Sequence, residues 1–247
     1  MTVAQLSSPD FRAVRDVLHR NALRTVFQPV VRLEDGTVRG YEALTRFDHQ
    51  DFPDPVQAFA AAGAAGLGVE LEILAIEGAL RRIDDLPEGA WLSLNASVEA
   101  LLTPRTISLL LSHANRRIAV ELTEHTRVTD YTALHEVTGL LRAAGILLAV
   151  DDAGAGFANL SQILQLRPDV IKLDISLTRG IDTDPVRTAL TRALVTFSES
   201  IGALLVAEGI ETYAEHERLL ALGVQHGQGY YIAKPGPLPR RHIEPLL

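Results

Sequence analysis

The chain of 247 residues contains no cysteine, and only one methionine and one tryptophan. Without thiols there is no disulfide framework, no iron–sulfur cluster, no thiolate nucleophile and no Cys-ligated zinc. Positive charge is also short: 23 Lys and Arg stand against 31 Asp and Glu, a net charge of −8. Such a chain is ill suited to tracking a nucleic-acid polymer over a broad surface, whereas a small phosphate ligand stays open if cations are supplied locally. Long apolar runs are missing too. The longest uncharged stretch that invites a membrane reading, Val56 to Val69, is 14 residues of mostly Ala and Gly, too short to span a bilayer. It reads as a packed helix or loop. Asp10, Arg12, Arg15, Asp16 and Arg20 break up any apolar signal core near the start, so the expectation is a cytoplasmic protein. What is abundant is apolar residue in general, 47% of the chain, which excludes disorder and supplies the core of one large domain.

Short apolar runs alternate with helical patterns. Candidate strands are Val26–Val31, Gly40–Thr45, Trp91–Asn95, Ile118–Glu121, Leu147–Val150, Val170–Lys172, Leu204–Ala207 and a short one near Gly229–Ile232. Candidate helices are Glu70–Ile83, Thr106–Ser112, Tyr131–Ala143, Pro185–Ile201 and Tyr213–Leu222. Asp184-Pro185 has the form of an N-cap followed by proline at the first helical position, and Gly145 and Gly223 sit where helices end. Runs such as Ile146–Val150 are apolar throughout rather than alternating, as in a parallel sheet covered on both faces. About eight strands with intervening helices in this length suit an α/β fold of the TIM-like (β/α)8 barrel type. Only Leu33–Thr37 separates the first two strands, so one of them is expected to run antiparallel near the N-terminus. The division expected is 1–23 as an N-terminal helical segment or connector, with Phe11–Leu23 a cap helix or remnant connector, and 24–247 as one domain.

Polar residues terminate the apolar runs. Asn95, Glu121, the pair Asp151-Asp152, Lys172 and Glu208 each follow such a run, and Glu42 lies within the second strand, four residues before Arg46. In a parallel barrel those strand ends converge on one face. An Asp or Asn after a strand is often only the N-cap of the next helix, and a Glu there is favoured by the helix dipole. That explanation serves for one residue but fails for the set. Glu42, Glu121, Asp151, Asp152 and Glu208 at one mouth would repel each other unless divalent cations neutralised them. Carboxylates and the Asn95 amide are all-oxygen donors, which favour Mg²⁺ or Mn²⁺. Adjacent Asp151 and Asp152 suit a pair of ions, one carboxylate shared and the other serving one. The eight histidines offer no metal spacing. His125 and His226 lie near strand ends but read as partly buried or surface side chains. No nucleophile elbow supports a serine triad, and Gly154-Ala155-Gly156 lacks the rest of a dinucleotide fingerprint.

Eight motifs follow one another along the chain: Phe27-Gln28-Pro29-Val30-Val31, Glu42-Ala43-Leu44 with Arg46, Leu94-Asn95-Ala96-Ser97, Glu121-Leu122-Thr123-Glu124, Asp151 to Gly156, Ile171-Lys172-Leu173-Asp174, Ala207 to Thr212, and Gln228-Gly229-Tyr230 with Lys234-Pro235. In this order they resemble the EAL-domain family of cyclic di-GMP phosphodiesterases, over about Val26 to Pro237. The triplet Glu-Ala-Leu alone would carry nothing; the ordered set is specific.

The resemblance implies metal-dependent hydrolysis of cyclic di-GMP to linear pGpG with two Mg²⁺ or Mn²⁺ ions. By it, Glu42, Asn95, Glu121 and Asp151 would ligate one ion, and Asp151, Asp152 and water the second, with Glu208 nearby. Lys172 would sit beside the attacking water, and Gln228 would help order the metal and water site. Gln28, Leu44 and Arg46 would contact substrate. Glu124 would anchor the sixth loop, with Gly154, Gly156 and Glu211 taking part. Ala153, Phe157 and Ala158-Asn159 depart from the family pattern of that loop, and none removes an expected ligand. A homodimer and a sensor or GGDEF partner domain are further implications; a nucleic-acid polymer or a membrane is not. One alternative is a catalytically silent cyclic di-GMP receptor, whose mark would be a lost ligand. Another is an enolase-type lyase on the same barrel, which explains carboxylates and a lysine but not the ordered motifs.

Overall fold

The computed structural model describes residues 9–122, 130–153 and 165–238. Its frame is a closed barrel of eight strands in sequence order. β1 (Leu23–Arg32) and β2 (Val38–Phe47) form an antiparallel hairpin, paired from Leu23↔Phe47 to Val31↔Val38 with a bulge at Val30/Val31. β3 (Trp91–Ala96), β4 (Ile118–Leu122), β5 (Leu147–Ala153), β6 (Val170–Leu173), β7 (Leu204–Ala207) and β8 (His226–Gly227) then follow β2 in parallel. β8 closes the ring against β1 antiparallel, through Val31↔Gly227 and Arg32↔His226. The reversal of β1 follows from its link, which is too short for a crossover. In that link Asp35 accepts from the Thr37 N–H at 2.9 Å, and Gly36 adopts φ +69°, where a side chain would be strained.

The helices begin where the sequence supplies caps. α1 (Pro9–Arg20) precedes the barrel. α2 (Pro55–Ala64), α5 (Pro104–Leu111) and α8 (Pro185–Ile201) each start with proline behind a capping Asp54, Thr103 or Asp184. α3 (Gly68–Leu80), the single-turn α4 (Val98–Leu101), α6 (Tyr131–Ala143), the single-turn α7 (Ile175–Thr178) and α9 (Tyr213–Ala221) are further helices among the described residues. The Ala- and Gly-rich stretch after Val56 is thus mostly packed helix. Ala58 and Ala62 of α2 join Phe52, Leu71 and the buried Val14 and Val17 of α1 in one apolar cluster. No helix among the described residues is long and apolar enough to cross a membrane.

Strand alternation divides the core. One set of residues, including Phe27, Tyr41, Leu94, Val120, Leu148, Val150, Ile171 and Leu205, packs outward under the helices. The other set lines the barrel interior: Val30, Trp91, Ala119, Ala149, Val170 and Val206. Gly40 gives Trp91 its place, since a Cβ there would lie 2.4 Å from the indole. His226 meets the same indole edge-on at 6.1 Å. Burial, followed by the charges of Arg39 and Arg32, pushes the His226 pKa down to about 4. It is a neutral core histidine. Two residues further toward the mouth along each strand, the interior turns polar.

The eighth strand differs from the expectation. It is His226–Gly227, whereas residues 229–232 turn back, with the Ile232 and Ala233 N–H groups donating to the Gly229 carbonyl. Gly229 lies so close to Ile210 that a Cβ would meet backbone atoms at 2.1 and 2.2 Å. The apolar run through Ile232 packs on the core rather than pairing in the sheet, which is why it reads as a strand. Because β8 is short, the mouth end of β1 pairs with the following segment instead: Phe27 and Gly236 exchange both backbone hydrogen bonds, at 2.7 and 3.0 Å. Gly229→Ala is therefore expected to destabilise the fold by about 3 kcal/mol, because backbone rather than a mobile side chain must move. Urea unfolding measures this, and an unchanged midpoint would show that the contact is not tight.

Candidate active site

The polar layer at the barrel mouth is set by register. Gln28 is opposite Glu42, and Asn95 is opposite Glu121. Asp151 lies two residues beyond Ala149, the partner of Glu121, and so shares its face. Lys172 comes from β6, Glu208 directly follows β7 and Gln228 directly follows β8. Closure of the barrel through the antiparallel β1 thus brings side chains up to 186 positions apart into contact.

Lys172, only 2% exposed, stands at the centre. Its Nζ lies 2.7 Å from Glu121 Oε2, 2.7 Å from Glu208 Oε1, 3.3 Å from Asp151 Oδ1 and 3.6 Å from Glu42 Oε1. Asn95 donates from Nδ2 to Glu42 at 3.2 Å, and Gln228 donates from Nε2 to Glu42 at 2.6 Å and to Glu208 at 3.0 Å. Burial pulls the Lys172 pKa down, but the surrounding carboxylates outweigh it and hold the ammonium well above its usual range. Glu121 and Glu208 are both pushed up, first by burial and then by neighbouring carboxylates, against the pull of Lys172. One ammonium faces four carboxylates, so full ionisation would leave three negative charges uncompensated in a buried site.

That deficit, and the donor set, suit a hard divalent cation. Every candidate ligand atom is oxygen, and Gln228 Oε1 is buried without a hydrogen-bond partner beside Glu42 and Glu208. Among the described residues no three acidic or histidine side chains are gathered at metal-ligand spacing as they stand. Lys172 holds the centre to which they turn. Glu124, Gly154, Gly156 and the side chain of Asp152 lie outside the described residues.

Beside the cluster, a cavity of about 580 Å³ opens between β1–β3 and the helices α2 and α3. Leu44, Arg46, Phe59, Glu72, Asn95 and Ser97 are among its walls. Arg46 has one guanidinium nitrogen on the Thr45 carbonyl at 2.8 Å. Glu72 accepts from the Ser97 N–H at 2.7 Å, and burial raises its pKa against that hydrogen bond. Nothing in the sequence singles out Glu72, one of three glutamates (with Glu70 and Glu77) in an otherwise apolar helix. Gln28 is 8% exposed and donates to the Ala233 carbonyl at 3.1 Å, tying β1 to the segment after β8. Glu211 lies outside the cluster and pairs with Arg179.

Residues 12–235 match the family model for the EAL domain. The chain belongs to this family. It is 31% identical over 225 residues to the cyclic di-GMP phosphodiesterase PA2567 of Pseudomonas aeruginosa, which covers 85% of this chain and 38% of that relative, so the chain spans well under half of its length. The PaMucR phosphodiesterase in complex with c-di-GMP has a TM-score of 0.81 at 26% identity, covering 93% of this chain and 98% of that one. A manganese/cy-diGMP complex of BlrP1 from Klebsiella pneumoniae has a TM-score of 0.77 at 30% identity, covering 87% and 56%.

In this EAL domain the signature Glu42-Ala43-Leu44 divides between two surfaces. Glu42 points into the acidic cluster, while Ala43 and Leu44 line the neighbouring cavity. Arg46 joins that cavity wall one alternation later, and Asn95 reaches both. Removing the central charge tests the electrostatics. Lys172→Met in chelator-treated protein is expected to lose about 3 kcal/mol, because four carboxylates, Glu42 and Glu121 buried and Asp151 and Glu208 half-buried, are left without a counter-ion. Added Mg²⁺ or Mn²⁺ should restore part of that loss. Equal stability of mutant and wild type in urea would show that Lys172 does not hold the cluster together.

Proposed function

We propose that this EAL domain hydrolyses cyclic di-GMP to linear pGpG with Mg²⁺ or Mn²⁺. The observation that carries the reading is the ring of buried and half-buried oxygen donors around Lys172, beside a cavity walled by Leu44 and Arg46, with Asn95 reaching both. Glu42, Asn95, Glu121 and Asp151 would hold one ion, and Asp151 with Asp152 a second. Bound in that place, the ions would lower the pKa of water toward neutrality and offset phosphate charge. The residues themselves supply position. Arg46 offers its planar fork to non-bridging phosphate oxygens, and Leu44 gives an apolar contact to a base. Glu72, at the wall of the same cavity, is an acceptor of the kind that the N–H edge of guanine needs. Lys172 orients the attacking water and stabilises the negative charge that grows on the phosphate, with Glu208 and Gln228 fixing its direction. Water adds to one phosphorus, the bond to the 3′-oxygen breaks, and that oxygen leaves as the ribose hydroxyl. Homodimer formation and a neighbouring sensor or GGDEF domain belong to the same proposal.

Incubating the protein with cyclic di-GMP and separating the nucleotides tests it. The expected product is pGpG with Mg²⁺ or Mn²⁺ and little with Ca²⁺, whose longer, looser coordination misplaces the reacting groups. Cyclic di-GMP bound but left intact would make the chain a receptor and overturn the hydrolytic reading. Glu42→Gln keeps the shape of a ligand but not its charge, and should lower turnover by at least about a hundredfold. Glu72→Ala should instead raise KM about tenfold with kcat little changed, the pattern of a lost binding contact.

A further inference from the structure

Glu215 lies on α9, outside the acidic cluster, and is 4% exposed. Its carboxylate accepts three backbone N–H groups from two different loops. Oε1 takes Gly180 at 2.9 Å, from the loop after β6 and α7; Oε2 takes Glu211 at 2.9 Å and Thr212 at 3.0 Å, from the loop after β7. Burial raises the Glu215 pKa, but the three backbone hydrogen bonds outweigh it and keep the carboxylate ionised. The first loop follows the β6–α7 unit that carries Lys172, and the second begins at Glu208; the side chains of Lys172 and Glu208 form one of the two shortest contacts Lys172 makes.

Other contacts run in parallel with this tie. The Glu208 N–H donates to the Leu173 carbonyl at 3.2 Å. Gly209 adopts φ +65° directly above Ile175 of α7, where a Cβ would approach to 2.3 Å. Arg179 pairs with Glu211 at the exposed rim. Glu208 therefore stands on a backbone that touches its neighbour loop at several points, and Glu215 is the buried charge among them. A capping box alone would need only the Thr212–Glu215 exchange on α9. The hydrogen bond to Gly180 goes beyond capping, because it reaches a separate β/α unit.

We propose that Glu215 is a positioning residue that locks the two loops together and so sets Glu208 against Lys172 and Gln228. This rests on the barrel mouth being the active site, as proposed above. The test compares Glu215→Ala with Thr212→Ala in the full chain. Thr212→Ala removes the hydroxyl of the capping box but leaves the Glu215 carboxylate on Gly180. Three quantities are read: amide hydrogen exchange at Gly180, Glu211 and Thr212, Mn²⁺ affinity by electron paramagnetic resonance, and kcat and KM for cyclic di-GMP.

Glu215→Ala should speed exchange at Gly180 about tenfold or more, weaken Mn²⁺ binding about fivefold and lower kcat about tenfold with KM within about threefold. Thr212→Ala should lower the melting temperature by about 3 °C yet leave Gly180 exchange, Mn²⁺ affinity and kcat near wild type. If Glu215→Ala does not fold, Glu215→Gln replaces it. One amide oxygen cannot serve both loops as a carboxylate does, so faster Gly180 exchange and weaker Mn²⁺ binding are again expected. Unchanged exchange and metal affinity in the Glu215 variant, or equal losses in both variants, would overturn the proposal. If the wild type yields no pGpG, the hydrolytic reading fails separately, and exchange and Mn²⁺ affinity still decide the role of Glu215.

Discussion

A single buried ammonium holds together the mouth of this barrel. Lys172 contacts carboxylates from β2, β4, β5 and the end of β7, so four separate stretches of chain have their charges referred to one atom. Such a centre is costly in isolation, because each charge has lost its water. It persists because the surrounding amides take up the remaining oxygens and because the barrel wall is rigid enough to keep the carboxylates from moving apart. The excess of negative charge is the chemical point. On the proposed function, it makes the cluster a place where a divalent cation would be stabilised, and where an anionic phosphodiester could approach an acidic protein.

The wall depends on pairing rather than on any one side chain. Small interior residues below the polar layer, Ala119 and Ala149 among them, let the strands close, and Trp91 over Gly40 fills the interior beneath them. Period-two alternation then presents Glu42, Asn95, Glu121, Asp151 and Lys172 at one level. A one-residue slip in any strand would turn its polar side chain into the helical layer. The short β8 and the turn at Gly229 deliver Gln228 to the same level from the far side of the ring. Stability and function share these contacts.

Much of this was legible in the sequence because the relevant signals are local. The unbroken apolar run at Leu147–Val150 marks a doubly covered strand, and the five residues Leu33–Thr37 allow only a hairpin. The polar residues ending each run stand at the mouth because strand ends and barrel mouth coincide. What stayed hidden is non-local. Nothing near Lys172 in the chain says that it is the centre of four carboxylates rather than a neighbour of one. Glu72 and Glu215 look like ordinary helix glutamates, and only the fold reveals the backbone N–H groups that they serve. Gln28, expected at the substrate, has its amide on the Ala233 carbonyl, a partner 205 residues away. The run Gly229–Ile232 reads as a strand in the sequence although β8 is His226–Gly227, because apolar packing mimics the pattern of sheet pairing.

On the proposed function, the oxygens at the barrel mouth exchange a shared ammonium for divalent cations. The most direct measurement is anomalous diffraction from crystals grown with Mn²⁺. Manganese peaks are expected bounded by Glu42, Asn95, Glu121 and Asp151, with Glu121 turned from Lys172 toward the ion. A cluster still closed on Lys172 at saturating Mn²⁺, with no peak at the barrel mouth, would contradict that exchange.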